Sequence, residues 1–236
     1  MYELTVFDFF TGISVLNTIN KAVKTFHVKV SKTARYCLLG HPSEKIETVW
    51  VCCHGYGQLA PYFIRKFEVL DNGKNLIVAP EALSKFYLEG FSGRVGASWM
   101  TKEERENDIA DYINYLNILM AEIKSTIKKD VKINILGFSQ GVATVCRWVT
   151  HSKIDFDKLI LWAGVFPPDL NKDFAFSMEK LQNKKIYIVY GDNDPFLYDD
   201  HKKNLDQYKK LFPEISVINF HGKHDIDEKV LKENFL

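Results

Sequence analysis

The sequence predicts an α/β fold, a mostly parallel sheet covered by helices on both faces. Short apolar runs recur along the chain without the alternation of a half-exposed sheet, and strands buried on both faces are near-continuously apolar. Helical periodicities separate most of these runs, as in chains that alternate strand and helix. The 236 residues, 46% hydrophobic and 26% charged, have an ordinary globular balance and enough length for one large core.

Taken in order, residues 1–20 are an extension in which Ile13, Leu16 and Ile19 have the spacing of a short helix. No linker or repeat follows, so the expected organisation is a single domain over 1–236. Residues 23–30 and 34–39 alternate, with Ser31 and Lys32 between them, and are expected to form a hairpin at the antiparallel edge. Apolar runs at 48–53, 76–79, 131–136, 159–162, 186–190 and 215–220 are the expected buried strands. Thr101 and Glu104 fit a capping box. Behind them Ile109, Tyr112, Ile113, Leu116, Met120, Ile123 and Ile127 recur at helical spacing on one face. Further helices are expected over 62–70, 140–151, 199–211 and 227–235.

Composition excludes several function classes. Lys and Arg number 31 against 30 Asp and Glu, a formal charge of +1, so no global field favours nucleic acid or an anionic membrane. Cys37, Cys52, Cys53 and Cys146 include no C-x-x-C pair, which argues against a zinc site or disulfide framework and for reduced thiols. The longest stretch free of Asp, Glu, Lys and Arg, 48–64, contains His54, Gly55, Gly57, Gln58 and Pro61, so no membrane span is expected. The N-terminus lacks the basic start of a secretory signal. A cytoplasmic location is the expectation.

Ligands of parallel sheets gather at the carboxyl ends of the strands, and four predicted ends carry suggestive chemistry. The run 131–136 leads into Gly137-Phe138-Ser139-Gln140-Gly141 and then an apolar helix. This is G-x-S-x-G in the strand–turn–helix context of a nucleophile elbow, where small neighbours let strand and helix approach and the serine hydroxyl stands beside the helix N-terminus. The run 48–53 ends in His54-Gly55-Tyr56-Gly57. Its glycines permit converging backbone N–H groups, and the Tyr56 amide with that of Gln140 is the expected oxyanion hole. The run 186–190 ends in Gly191-Asp192-Asn193-Asp194. Asp194 is the preferred carboxylate and Asp192 its local rival. The last strand ends in His221-Gly222-Lys223-His224, where His224 is the preferred base and His221 the nearer alternative. Aromatics at Phe86, Tyr87, Phe91 and Trp99 in the long stretch 80–101 suggest a loop packed over the strand ends. Trp99, Phe91 and His54 are the candidate pocket residues.

The order Ser, Asp, His is that of α/β-hydrolases. With His54-Gly-Tyr-Gly57, Val78-Ala-Pro80, Ser98-Trp99, Gly137-Phe-Ser-Gln-Gly141, Gly191-Asp-Asn-Asp194 and Gly222-Lys-His-Asp-Ile226, the chain resembles the phospholipase/carboxylesterase group of the α/β-hydrolases, which includes acyl-protein thioesterase-like enzymes. The resemblance runs from about residue 49 to 226 and fits a sheet of about eight strands; the stretches 80–101 and 163–184, 22 residues each, are too short for a large lid domain. The resemblance implies a Ser139–His224–Asp194 triad acting on a small-molecule ester or thioester with no cofactor and no metal. A peptidase, a lactone hydrolase or a non-catalytic binding protein on the same scaffold are the alternatives. Oligomeric state is not legible. Residues 1–20 and the detail of 81–95 lie outside the family pattern.

Overall fold

Strand β2 (Thr48–Cys53) shows why the apolar runs do not alternate: Val49, Val51 and Cys53 pack into one core, while Trp50 and Cys52 pack into another on the opposite face. Both faces of the sheet are buried, so nearly every strand position is apolar. The computed structural model describes residues 23–128, 130–171, 181, 184–196, 205, 206, 209 and 214–236. The contacts divide the chain into residues 1–33 and 34–236.

In the larger unit β1 (Tyr36–Leu39), β2, β3 (Asn75–Pro80), β6 (Lys132–Phe138), β7 (Lys158–Trp162), β8 (Lys185–Gly191) and β9 (Ser216–Phe220) form a seven-stranded sheet in the order β1-β3-β2-β6-β7-β8-β9. Within this sheet, among the described residues, β1–β3 is antiparallel and the other pairings are parallel. Helices α2 (Arg105–Ser125) and α3 (Gln140–His151) contribute to the first core. Helix α1 (Ala60–Phe63), the 3-10 turn Ile64–Leu70 and α4 (Glu228–Phe235) contribute to the second. Another 3-10 turn covers Pro168–Asn171. Among the described residues no large lid domain is present and no helix is long and apolar enough to cross a membrane.

Several expectations need correction. The sheet has seven strands, not about eight, because residues 23–33 contain no strand and the expected opening hairpin does not form. Val23, Phe26, Val28 and Val30 are all exposed, so the alternation there has no buried face to serve. The antiparallel edge comes from β1 alone, paired with β3. The capping box does not form either. Thr101 Oγ1 accepts from the Glu103 amide at 3.2 Å and donates to its carbonyl at 3.1 Å. The serine and threonine habit of bonding nearby backbone competes with helix capping, and α2 starts four residues later, at Arg105. The stretch 80–101 is not irregular throughout: β4 (Ser84–Tyr87) and β5 (Val95–Ser98) pair as an antiparallel ribbon. The expected helix near residues 13–19 and most of the one over 199–211 lie outside the described residues.

Candidate active site

Strand β6 ends at Phe138, and α3 starts at Gln140. Between them Ser139 has φ 54° and ψ −115°, a backbone that residues with a Cβ seldom adopt. The sharp turn depends on missing side chains. A Cβ on Gly137 would strike the Gly141 carbonyl, and one on Gly141 would strike that of Cys53. Strand β2 is in register with β6, Cys53 opposite Gly137, so the loop after β2 arrives beside Ser139. Gly55 packs there so closely that a Cβ would lie 3.2 Å from the Ser139 Cβ.

The loop His54–Gly57 is fixed from several sides. The Gly55 amide donates to Gln58 Oε1 at 2.8 Å and the Gly57 amide to the Ala97 carbonyl at 2.9 Å. Among the described residues no acceptor takes the Tyr56 amide between them. The Tyr56 ring stands outward against Phe86, with centroids 5.1 Å apart. Gln140 contributes more than its backbone. Its Nε2 donates to Ser98 Oγ at 3.1 Å and to the Met100 carbonyl at 2.9 Å, and its Oε1 accepts the Trp99 amide at 3.1 Å. The first turn of α3 is thereby clamped to the end of β5.

Trp99 and His54 lie beneath the loop. Both are buried. The Trp99 indole donates to the His54 carbonyl at 2.8 Å. His54 Nδ1 donates to the Gly55 carbonyl at 2.7 Å, and its Nε2 accepts the Ala82 amide at 3.1 Å. Burial pushes the His54 pKa down, and an Nε2 that accepts an amide hydrogen belongs to a neutral ring. Phe91, the third suggested pocket residue, is 99% exposed. Two of the three are thus enclosed and the third projects into solvent. A cavity of about 300 Å³ opens beside Gly57, with Leu59, Tyr62, Phe63, Leu88 and Val95 in its wall.

The carboxylates and histidines of the last two loops sort into two pairs. His224 Nδ1 donates to Asp194 Oδ2 at 2.7 Å, with the side chains 19% and 1% exposed. His221 Nδ1 lies 3.1 Å from Asp192 Oδ2, with the side chains 89% and 43% exposed. Asp192 also accepts the Gly222 amide at 3.1 Å, so the outer pair ties the two loops together. The hydrogen bond from His221, then that from Gly222, outweigh its slight desolvation and hold Asp192 below the ordinary carboxylate range. The inner histidine is enclosed by aromatics: its ring centre lies 4.9 Å from that of Phe138 and 4.6 Å from that of Phe196. Phe138 directly precedes Ser139, which brings the inner pair next to the elbow.

Sequence reasoning passed over three supports. Trp162, fully buried at the end of β7, accepts the Ser139 amide on its carbonyl at 2.9 Å and donates its indole N–H to the Asp225 carbonyl at 2.9 Å. Glu81, a buried carboxylate just past β3, accepts from Arg35 Nε at 3.0 Å, Arg35 Nη2 at 2.5 Å, Lys85 Nζ at 3.1 Å and the Ala60 amide at 3.2 Å. Arg147 of α3 grips Asp169 with two bonds of 2.9 and 2.8 Å. An isolated Glu or Arg gives no sequence signal of its partner. The Pro80-Glu81 position at a strand's carboxyl end was the only available hint for Glu81.

The sequence profile of the phospholipase/carboxylesterase family matches residues 39–234. The chain belongs to that family. The phospholipase/carboxylesterase family is a hydrolase family, and the likeness extends to three dimensions. Acyl-protein thioesterase 2 of Zea mays aligns with a TM-score of 0.65 at 18% identity, covering 85% of this chain and 96% of that one. A phospholipase/carboxylesterase from Dyadobacter fermentans gives 0.61 at 17% identity over 88% and 99%. A Bacillus cereus carboxylesterase gives 0.57 at 13% over 85% and 91%. At these identities the solved structures speak to the α/β-hydrolase fold. No curated protein sequence matches the chain.

Proposed function

We propose that this family member is a serine hydrolase that cleaves carboxylic esters or thioesters through an acyl-enzyme. The observation that carries the reading is the buried Asp194 carboxylate bonded to His224 at 2.7 Å, beside a serine in elbow geometry. Asp194 holds the His224 tautomer with a proton on Nδ1, which leaves Nε2 as the base. His224 takes the Ser139 hydroxyl proton as Oγ attacks the acyl carbonyl. The amides of Tyr56 and Gln140 receive the oxyanion. The C–O or C–S bond then breaks as His224 returns the proton to the leaving alcohol or thiol. Water, activated by the same ring, releases the acid and restores the serine. Asp194 stays ionised and stabilises the imidazolium.

The cavity beside Gly57 suits an apolar acyl or alcohol group. Phe63 in its wall lies 6.1 Å, ring to ring, from Phe138. The four free cysteines support action in a reducing, cytoplasmic compartment. Incubation with a fluorophosphonate and peptide mass mapping tests the assignment. The expected adduct is on Ser139, and labelling elsewhere or none on folded protein overturns it. Hydrolysis of p-nitrophenyl esters of graded chain length, with Ser139→Ala as control, then defines the acyl preference.

A further inference from the structure

A second cavity, of about 530 Å³, lies at the other end of the sheet, among the amino ends of β2, β6, β7 and β8. Strand β6 spans seven residues from Lys132 to Phe138, and at about 3.3 Å per residue its two ends are roughly 20 Å apart.

The sheet register aligns Trp50 with Asn134, Asn134 with Lys158, and Lys158 with Lys185. Aligned residues on neighbouring strands share a face, and all four line the cavity. Two of them have unmet bonding needs. Trp50 is 1% and Asn134 4% exposed, yet Trp50 Nε1 and Asn134 Oδ1 have no partner among the described residues. Native interiors seldom leave such atoms unpaired. The unmet donor and the unmet acceptor sit on residues aligned in register. A hydroxyl accepts from the indole N–H and donates to the amide oxygen.

The surrounding charge is positive. Lys74 pairs with Glu47 at 3.0 Å and Lys184 with Asp155 at 2.5 Å. Lys132, Lys158 and Lys185 remain on the cavity wall, facing one further side-chain carboxylate, Asp157, which accepts the Ile133 amide at 2.7 Å. Lys158 lies over the Phe235 ring, 5.7 Å from its centre. Burial foremost, then the crowded charges of Lys185 and Lys132, push its pKa down, against a smaller opposing pull from Asp157. An oxyanion in the cavity relieves that crowding.

We propose that this cavity binds a small hydroxylated phosphate ester, with the phosphate held by Lys132, Lys158 and Lys185 and a hydroxyl bridging Trp50 Nε1 and Asn134 Oδ1. The test uses the full chain, with glucose 6-phosphate as probe and inorganic phosphate, glucose and phosphatidic-acid vesicles as separate arms. Calorimetry should show saturable binding of glucose 6-phosphate, at least tenfold weaker in the Lys158→Met/Lys185→Met variant. Asn134→Leu should weaken glucose 6-phosphate but leave inorganic phosphate unchanged. The Trp50 indole N–H resonance, assigned with Trp50→Phe, should shift on binding. Should the lysine pair variant melt early, Lys132→Gln/Lys185→Gln, at two exposed positions, replaces it with the same expectation. Absence of saturation, equal affinity in the folded lysine variants, an unmoved indole resonance, or glucose 6-phosphate no tighter than inorganic phosphate overturns the proposal. Binding to the vesicles alone overturns it in favour of a lipid surface. None of these readouts depends on hydrolysis, so this proposal and the serine-hydrolase reading fail separately.

Discussion

The indole of Trp162 donates to the carbonyl of Asp225 at 2.9 Å, and Asp225 directly follows His224. The Trp162 carbonyl accepts the Ser139 amide at the same distance. One buried residue thus spaces the proposed nucleophile loop from the proposed base loop.

Trp162→Phe keeps the backbone bond to Ser139 and most of the packing but removes the indole bond. A typical hydrogen bond contributes about 0.5–1.5 kcal/mol, and looser placement of His224 should appear as a several-fold to tenfold fall in kcat. Ester hydrolysis measured well below the melting midpoint checks it. A change in midpoint with an unchanged kcat would reduce Trp162 to a packing role.

The two Asp–His pairs should separate cleanly in kinetics. Asp194→Asn leaves His224 without its buried counter-charge and disturbs its tautomer, and comparable losses are about ten-thousandfold in kcat. Asp192→Asn alters an exposed pair and should change kcat less than threefold, on the order expected for surface contacts. Ester hydrolysis by the two variants decides between them, and the reverse ranking would reassign the base to His221.

How much of this was legible in the sequence follows from what each signal measures. Strands β2, β3, β6, β7 and β8 stood out because burial on both faces leaves a continuous apolar run. The bounds of α3 came from the glycine turn before it. Residues 23–30 misled because alternation reports a pattern, not the presence of a surface to bury it. Strands β4 and β5 have four residues each, too few for a period to show. In the site, Asp192 and Asp194 lie two residues apart on one loop, and His221 and His224 lie three residues apart on the other. Only burial ranks them. The supports Glu81, Trp162 and Arg147 depend on partners far along the chain, which no local pattern encodes.

Glu81 should make stability pH-dependent. Its side chain is fully buried. Burial alone would raise its pKa, but the bonds from Arg35 and Lys85 prevail and hold it below the ordinary value of 4.5. A carboxyl with a depressed folded-state pKa adds stability that is fully present above its unfolded pKa and lost as pH falls through the folded one. Glu81→Gln should therefore cost about 1–3 kcal/mol at pH 7, where charge-assisted bonds are lost. In urea melts the gap between the two proteins should narrow as pH falls below 4. A gap that stays constant from pH 7 to 3 would mean that the carboxylate's charge contributes nothing.

Ser139 offers a test of strain against chemistry. Its φ of 54° with ψ of −115° belongs to backbone that stores about 1–3 kcal/mol when a Cβ is present. Ser139→Gly removes the Cβ and relieves that strain, against about 0.5–1 kcal/mol of extra chain entropy lost by glycine on folding. The net expectation is a gain of about 1 kcal/mol, which raises the melting midpoint by about 2–4 °C in a chain of this size. Ser139→Ala keeps the Cβ and therefore the strain, and should melt near the parent protein. Both variants should lose ester hydrolysis by about a thousandfold or more, because both lack the hydroxyl. Calorimetric midpoints and p-nitrophenyl ester rates on the same three proteins separate the two effects. Equal midpoints for the glycine and alanine variants would show that the turn is unstrained. Retained hydrolysis in either would remove Ser139 from the mechanism.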